Sequence, residues 1–162
     1  MEKSAQYYIS KLNLIGHPEG GFYAETYRSQ QKIKNSEGNN RNISTAIYFL
    51  LSDTQKSHFH RIKSDELWFH HEGETLAITV LIDGEISVIH LGKDLENGEV
   101  LQTTIPANCW FASQVKSKKG FALVSCTVAP GFDFEDFEMA KKVDLTTEYP
   151  RYADVFEELC FS

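Results

Sequence analysis

The sequence predicts an all-β protein: an antiparallel sandwich or barrel with a short N-terminal helix and helical segments at the C-terminus. Three observations carry this expectation. About nine short runs rich in β-branched and aromatic residues recur at close, regular spacing between positions 21 and 128. Turn chemistry separates them, most clearly at Asp83-Gly84, a strong two-residue hairpin signal. Helical spacing of apolar residues occurs only towards the two ends.

The elements follow in order. Ala5, Tyr8, Ile9 and Leu12 recur at helical spacing, which predicts a helix over 4–14. The run HPEGG at 17–21 then breaks it with one proline and two glycines. GFYAETYR (21–28) alternates aromatic and polar residues, and STAIYFLL (44–51) reads as a buried strand. Between them the polar stretch QQKIKNSEGNNRN (30–42) reads as an exposed loop, long enough to be either mobile or functional. SHFHR (57–61), ELWFHH (66–71), TLAITVLI (75–82) and EISVIHL (85–91) continue the strand pattern. VLQTTI (100–105), NCWFAS (108–113) and GFALVSCTV (120–128) complete it. After Pro130-Gly131, FDFEDFEMAKK reads as an acidic helix with Phe134, Phe137 and Met139 turned inward, and a second helix is expected around Ala153–Leu159.

Composition bounds the function. The 162 residues suit a single domain over 1–162 with a barrel core at about 20–130. An apolar share of 41% is enough to bury a core without a disulfide framework. The three cysteines, Cys109, Cys126 and Cys160, are odd in number and widely spaced, so they read as buried thiols of a reducing compartment. With no long apolar run and no apolar leader, the expected location is cytoplasmic, without a membrane partner. The net charge of −7 is concentrated in 133–162, where nine acids face three bases. No basic face exists to displace counterions from phosphate, which argues against nucleic acid; KSKKG at 116–120 reads as a turn.

Four of the six histidines fall within 58–71. On a regular strand, residues two apart share a face, so His58 and His60 should project side by side, as should Glu66, Trp68 and His70. Two imidazoles and a carboxylate form a facial ligand set for Fe, Mn, Ni or Zn, with positions left open for substrate. The bland alternative is a set of barrel-lining polar residues bonded to one another.

SHFHRIKSDELWFHHEG resembles the first motif of the cupin superfamily, an HxH followed by a Glu and then a Gly. His58, His60, Glu66 and Gly73 stand at those places, with a longer gap before the acid than usual; Asp65 would shorten it, but the spacing to Gly73 favours Glu66. IPANCWFASQV resembles the second motif with Asn108 in place of its Gly, Phe111 in place of its His and Val115 in place of its Asn. The third histidine of the usual metal set is therefore missing. HPEGGFYAETYRS, STAIYFLL and SCTVAPGFDFEDFE extend the resemblance along nearly the whole chain to a subfamily of small cupins. The resemblance implies a cupin-type jelly-roll barrel, a homodimer, and structural similarity to rhamnose-pathway sugar-nucleotide epimerases.

The expected function is that of a cupin binding a small polar metabolite in its barrel. In the metal-dependent form, His58, His60 and Glu66 hold a divalent metal, with His70, His90 or Glu25 as substitutes for the absent ligand. In the metal-free form no cofactor is present, and His58 or His60 acts as the base of a sugar or sugar-nucleotide epimerase or isomerase. A third form binds without catalysis. Candidate ligand-binding residues are Glu25, Tyr27, Tyr48, Trp68, His70 and Trp110. Arg28 reads as half of a surface ion pair, and Gly20-Gly21 as a backbone turn.

Overall fold

The computed structural model describes residues 3–162. Helix α1 (Ala5–Lys11) begins at Ser4, whose hydroxyl accepts from the Tyr7 N–H at 3.3 Å. It ends before the apolar pattern does, because Asn13 takes a left-handed φ of 53° that turns the chain into the first strand. The strands are β1 (Ile15–Gly16), β2 (Phe22–Arg28), β3 (Lys32–Lys34), β4 (Asn40–Asn42), β5 (Thr45–Ser52) and β6 (Lys56–Arg61). They continue as β7 (Asp65–Gly73), β8 (Leu76–Ile82), β9 (Glu85–Leu91), β10 (Gln102–Ile105), β11 (Trp110–Val115), β12 (Phe121–Ala129) and β13 (Glu138–Met139). Helices α2 (Lys142–Glu148) and α3 (Ala153–Leu159) close the chain.

The strands form two antiparallel sheets in jelly-roll order, β1-β2-β5-β12-β7-β10 and β13-β6-β11-β8-β9, with β3-β4 as a separate hairpin. The inward residues of both sheets make one core in which Phe49, Trp68, Ile78, Val80, Phe111 and Val124 are almost wholly excluded from water. The helices cover the outer faces. Leu145, Phe156 and Leu159 of α2 and α3 pack on Phe59, Leu81 and Ala112, while Tyr8, Ile9 and Leu12 at α1 pack on Leu50 and Leu123. At the tip of the β8–β9 hairpin, Asp83 and Gly84 have φ of 52° and 78°, the paired positive values that a two-residue turn needs to match strand twist. Among the described residues no helix is long and apolar enough to cross a membrane.

Two segments differ from expectation, and they are tied together. The 30–42 loop is a hairpin, β3 with β4, and Arg41 within it is buried. Its guanidinium donates to both carboxylate oxygens of Asp136 at 2.7 and 2.9 Å. The acidic helix expected from 132 onward is instead one 3-10 turn, Phe134–Asp136, capped by Asp133, followed by β13. Asp136 is held on Arg41 from the end of the turn, and adding β13 to β6 requires an extended chain from Glu138 onward, so helical packing is overridden by tertiary contacts. Phe134 is accordingly half exposed, whereas Phe137 folds in over the barrel.

Candidate functional site

Beside the 132–137 segment the mouth of the barrel holds an open cavity of about 410 Å³. Tyr23, Phe49, Trp68, Phe132 and Phe137 supply apolar walls, and His17, Glu19, Glu25, Arg28, His60 and Glu66 supply polar groups.

Two β-bulges decide which side chains reach it. Against β11, Ser57 pairs with Ser113 and His60 with Phe111, so β6 carries one residue more than its partner. Inward positions on β6 are thus three apart: Ser57 and His60 face the barrel, and Phe59 faces α3. His58, expected beside His60, is turned aside and stacks on Phe161 at 4.0 Å. Against β5, Glu25 pairs with Ile47 and Tyr27 with Ala46, which makes Thr26 the extra residue of β2. Glu25 and Arg28 therefore both line the cavity and bond to each other, with Nε at 3.1 Å from Oε1.

At the floor lies a buried ion pair. His60 donates Nδ1–H to the His58 carbonyl at 2.7 Å, and its Nε2 lies 2.9 Å from Glu19 Oε2. The Ser57 hydroxyl donates to the other Glu19 oxygen at 2.9 Å. Burial alone would lower the His60 pKa, but the charge and hydrogen bond of Glu19, the His58 carbonyl and Glu66 together raise it. Burial likewise opposes ionisation of Glu19, yet His60 holds its pKa below the ordinary value. The pair is imidazolium and carboxylate. His58 clamps it from behind, since its backbone N–H and its Nδ1–H both donate to the Glu19 carbonyl at 2.8 Å. His17 receives the Glu19 N–H on Nδ1 at 3.1 Å, and burial, with the charge of His60, depresses its pKa against Glu19's pull.

Glu66 is different. It is 8% exposed, and burial followed by the nearby Glu19 charge pushes its pKa up to about 7, against His60, Trp68 and Cys126, which favour the ionised form. Trp68, 1% exposed, lines the same cavity, and its Nε1–H finds no acceptor in hydrogen-bond geometry among the described residues. The Cys126 thiol is raised well above its usual pKa by burial and by the Glu66 and Glu19 charges, so it is no nucleophile.

Of the residues singled out from sequence, the structure brings His60, Glu66, Trp68 and Glu25 together at the cavity. His70 faces inward from β7 but at the far end, donating Nε2–H to the Glu74 carbonyl at 3.0 Å. His90, weighed as a substitute ligand, lies on β9 opposite Ala77, away from the cavity. Tyr27 is outside at 55% exposure because of the β2 bulge, and Tyr48 packs towards α1 on the outer sheet face. Trp110 lies on the outer face of the other sheet under the Arg61 guanidinium, 4.2 Å from the ring centre. His17, Glu19 and Arg28 belong to the cavity although sequence reasoning did not place them there. For His17 and Glu19 the available signal was HPEGG itself. Gly20 has φ 108°, and a Cβ there would lie 2.0 Å from the Lys56 carbonyl oxygen, so the glycine allows the loop to press Glu19 onto β6.

The donors do not fit a metal. His58 and His60 diverge, both ring nitrogens of His60 are engaged by protein acceptors, and Phe111 stands where the second motif would supply a histidine. Among the described residues no three His, Cys, Asp or Glu side chains are grouped as a metal site.

A family model described as "Cupin superfamily (DUF985)" matches residues 6–140. An uncharacterized protein of Saccharomyces cerevisiae is 34% identical over 155 residues, covering 87% of this chain and 77% of the relative. The structure of a hypothetical protein from Leishmania major superposes with a TM-score of 0.94 at 37% identity, covering 99% of this chain and 100% of that one. A protein from Shewanella oneidensis superposes with a TM-score of 0.91 at 39% identity, over 99% of each chain.

Proposed function

The chain belongs to the DUF985 family of the cupin superfamily, and from that premise we propose that its barrel binds a small metabolite and moves a proton on it without a metal. Glu66 is the group that exchanges the proton. The observation that carries this reading is a buried carboxyl with a pKa of about 7 facing a cavity of about 410 Å³. A group titrating near neutrality works as acid and as base at the same pH, which is what an isomerisation or tautomerisation requires.

The other residues have supporting parts in this scheme. His60 has no ring nitrogen left for a ligand, so it serves as a fixed positive charge with Glu19 rather than as the base. Glu19, kept ionised, holds the Glu66 pKa up. His58 is a positioning residue, because it fixes the Glu19 backbone and offers its own carbonyl to His60. The aromatic walls bind the apolar faces of the ligand and exclude water. The metal-centred alternative, with Fe, Mn, Ni or Zn on His58, His60 and Glu66, would require β6 to lose its bulge and His60 to release Glu19.

The test is isotope exchange. Metabolites that raise the melting temperature are incubated with the protein in D2O, and deuterium entering a carbon-bound position is followed by NMR. Wild type should catalyse exchange and Glu66→Gln should not. Ligands that bind without any exchange would overturn proton transfer. Near-stoichiometric metal in untagged protein, lost in His60→Ala, would overturn the metal-free form.

A further inference from the structure

The proton-transfer scheme leaves His17 without a part. Its side chain is 6% exposed and lines the cavity. The residue closes its own turn, with its N–H on the Gly21 carbonyl at 2.9 Å and its carbonyl accepting from the Gly20 N–H at 3.0 Å. Tyr23 and Phe49 make T-shaped contacts with the ring, at centroid distances of 4.6 and 5.9 Å, and hold its plane. Nδ1 accepts the Glu19 N–H at 3.1 Å, and a backbone N–H can only donate. Nδ1 therefore carries no hydrogen, and in a neutral imidazole the hydrogen is then on Nε2. Burial keeps the ring neutral, depressing its pKa although Glu19 Oε2 lies 3.6 Å from Nδ1. Among the described residues no acceptor is in hydrogen-bond geometry with Nε2, so this N–H is left to whatever fills the cavity. Trp68, on the same cavity, holds a second donor without an acceptor, since an indole N–H cannot accept.

Resting on the reading of this cavity as a small-molecule site, we propose that its ligand is an uncharged carbonyl compound whose oxygen accepts a hydrogen bond from His17 Nε2–H. A carboxylate or phosphate would lack a partner charge. His60 is paired with Glu19, and Arg28 gives its guanidinium to Glu25, to Asn42 Oδ1 at 2.8 Å and to the Phe132 carbonyl at 3.1 Å. A carbonyl oxygen needs only a donor, and it acidifies the hydrogens on the neighbouring carbon. Ionised Glu66 takes one of those hydrogens as a proton. The C–H bonding pair becomes the C=C bond of an enolate, and the carbonyl π pair moves onto oxygen. His17 Nε2–H meets the negative charge where it develops, as a fixed neutral donor aimed at that atom. Return of the proton from Glu66 to carbon restores the carbonyl, so the cycle needs no further reactant.

The experiment uses two probes of one shape, cyclohexanone and methylenecyclohexane, of which only the first offers an oxygen. Each is titrated into the full chain while the histidine rings are followed by proton–nitrogen NMR. Cyclohexanone should bind about tenfold more tightly and should move the His17 Nε2 proton downfield. Two variants separate the donor from the scaffold. In His17→Gln the amide nitrogen reaches the place of Nε2, whereas in His17→Asn the amide oxygen replaces only Nδ1 and its contact with the Glu19 N–H. His17→Asn should lose the ketone preference, and deuterium exchange into the ketone should slow about a hundredfold. Methylenecyclohexane should bind that variant as before, which shows that the cavity is kept. His17→Gln should retain most of the preference. A ketone preference that survives His17→Asn, an unmoved Nε2 proton, or cyclohexanone binding no tighter than methylenecyclohexane each overturns the proposal. A ketone preference in wild type without any deuterium exchange supports His17 as the donor and overturns the proton transfer alone.

Discussion

Glu66→Gln should stabilise the protein by an amount that grows as pH rises from about 4.5 to about 7 and is constant above that. The substitution is nearly isosteric and removes the ionisation that the fold opposes. In the unfolded chain this carboxyl titrates near its ordinary value of 4.5, and in the folded protein near 7. Below the lower value both states are protonated and Glu66 contributes no pH dependence. As pH rises through that window the unfolded chain loses its proton first, so folding becomes progressively less favourable. Once the folded pKa is passed the loss is complete. Two to three pK steps at about 1.4 kcal/mol each put it at ~3 kcal/mol, a large fraction of the stability of a domain this size. Glutamine escapes this loss at every pH. Urea unfolding of wild type and variant should give nearly equal midpoints at about pH 4 and a variant midpoint higher by about 1 M or more at about pH 8. A midpoint difference that does not change with pH would show that Glu66 holds no proton in this range, and the acid–base reading of the site would fail with it.

Two further outcomes follow from the ion pair and the loop that delivers it. His60→Gln strands the buried Glu19 carboxylate and should cost about 3–5 kcal/mol, whereas adding Glu19→Gln should recover part of that loss. Strictly additive losses in the double-mutant cycle would mean that the two groups do not form a pair. Gly20→Ala should cost several kcal/mol, because its φ is 108° and the new Cβ meets the Lys56 carbonyl. Gly38→Ala shares the positive φ, at 83°, but has open space around it, so its loss should stay near ~1 kcal/mol. Equal losses at the two glycines, measured by chemical denaturation, would show that close approach of the loop to β6 is not what Gly20 provides.

The strands were readable because alternation along a half-buried sheet is a local property. β5, β8, β9 and β12 lie within a residue or two of their expected bounds, and α3 spans Ala153–Leu159 as its pattern predicts. What escaped was decided by pairing between distant segments. A bulge is invisible in the strand that carries it, since the extra residue is defined only against the register of a partner. For that reason strand alternation alone puts His58 beside His60 and gives no sign that Arg28 reaches the cavity. The 133–139 segment has an apolar spacing that suits a helix, but the Arg41–Asp136 contact spans 95 residues and leaves no local trace. Asn108 is an instructive middle case. It stands where the resembling motif has a glycine and adopts φ 65°, a left-handed conformation that a glycine enters freely and that asparagine tolerates better than most residues.

On the proposed reading a barrel with half a metal motif holds a proton instead, and the pairing of β6 with β11 supplies the reason. His60 lies opposite Phe111 in the β6–β11 register, and the two rings are 4.2 Å apart. A histidine at 111 would have offered a nitrogen there; phenylalanine offers only hydrocarbon, and Phe137 closes over the other face of the imidazole at 5.4 Å. An imidazole between two apolar rings needs its charge answered at close range, and Glu19 answers it at 2.9 Å. That carboxylate occupies the nitrogen a metal would need. Burial first, and then the charge of that carboxylate, raise the remaining acid of the motif, Glu66, towards neutrality. On the proposed reading the loss of one ligand and the gain of a titrating carboxyl are linked through Glu19. Neutralising Glu19 should therefore lower the Glu66 pKa. Glu19→Gln should accordingly move the acid limb of the exchange rate to lower pH, and an unmoved limb would break that link.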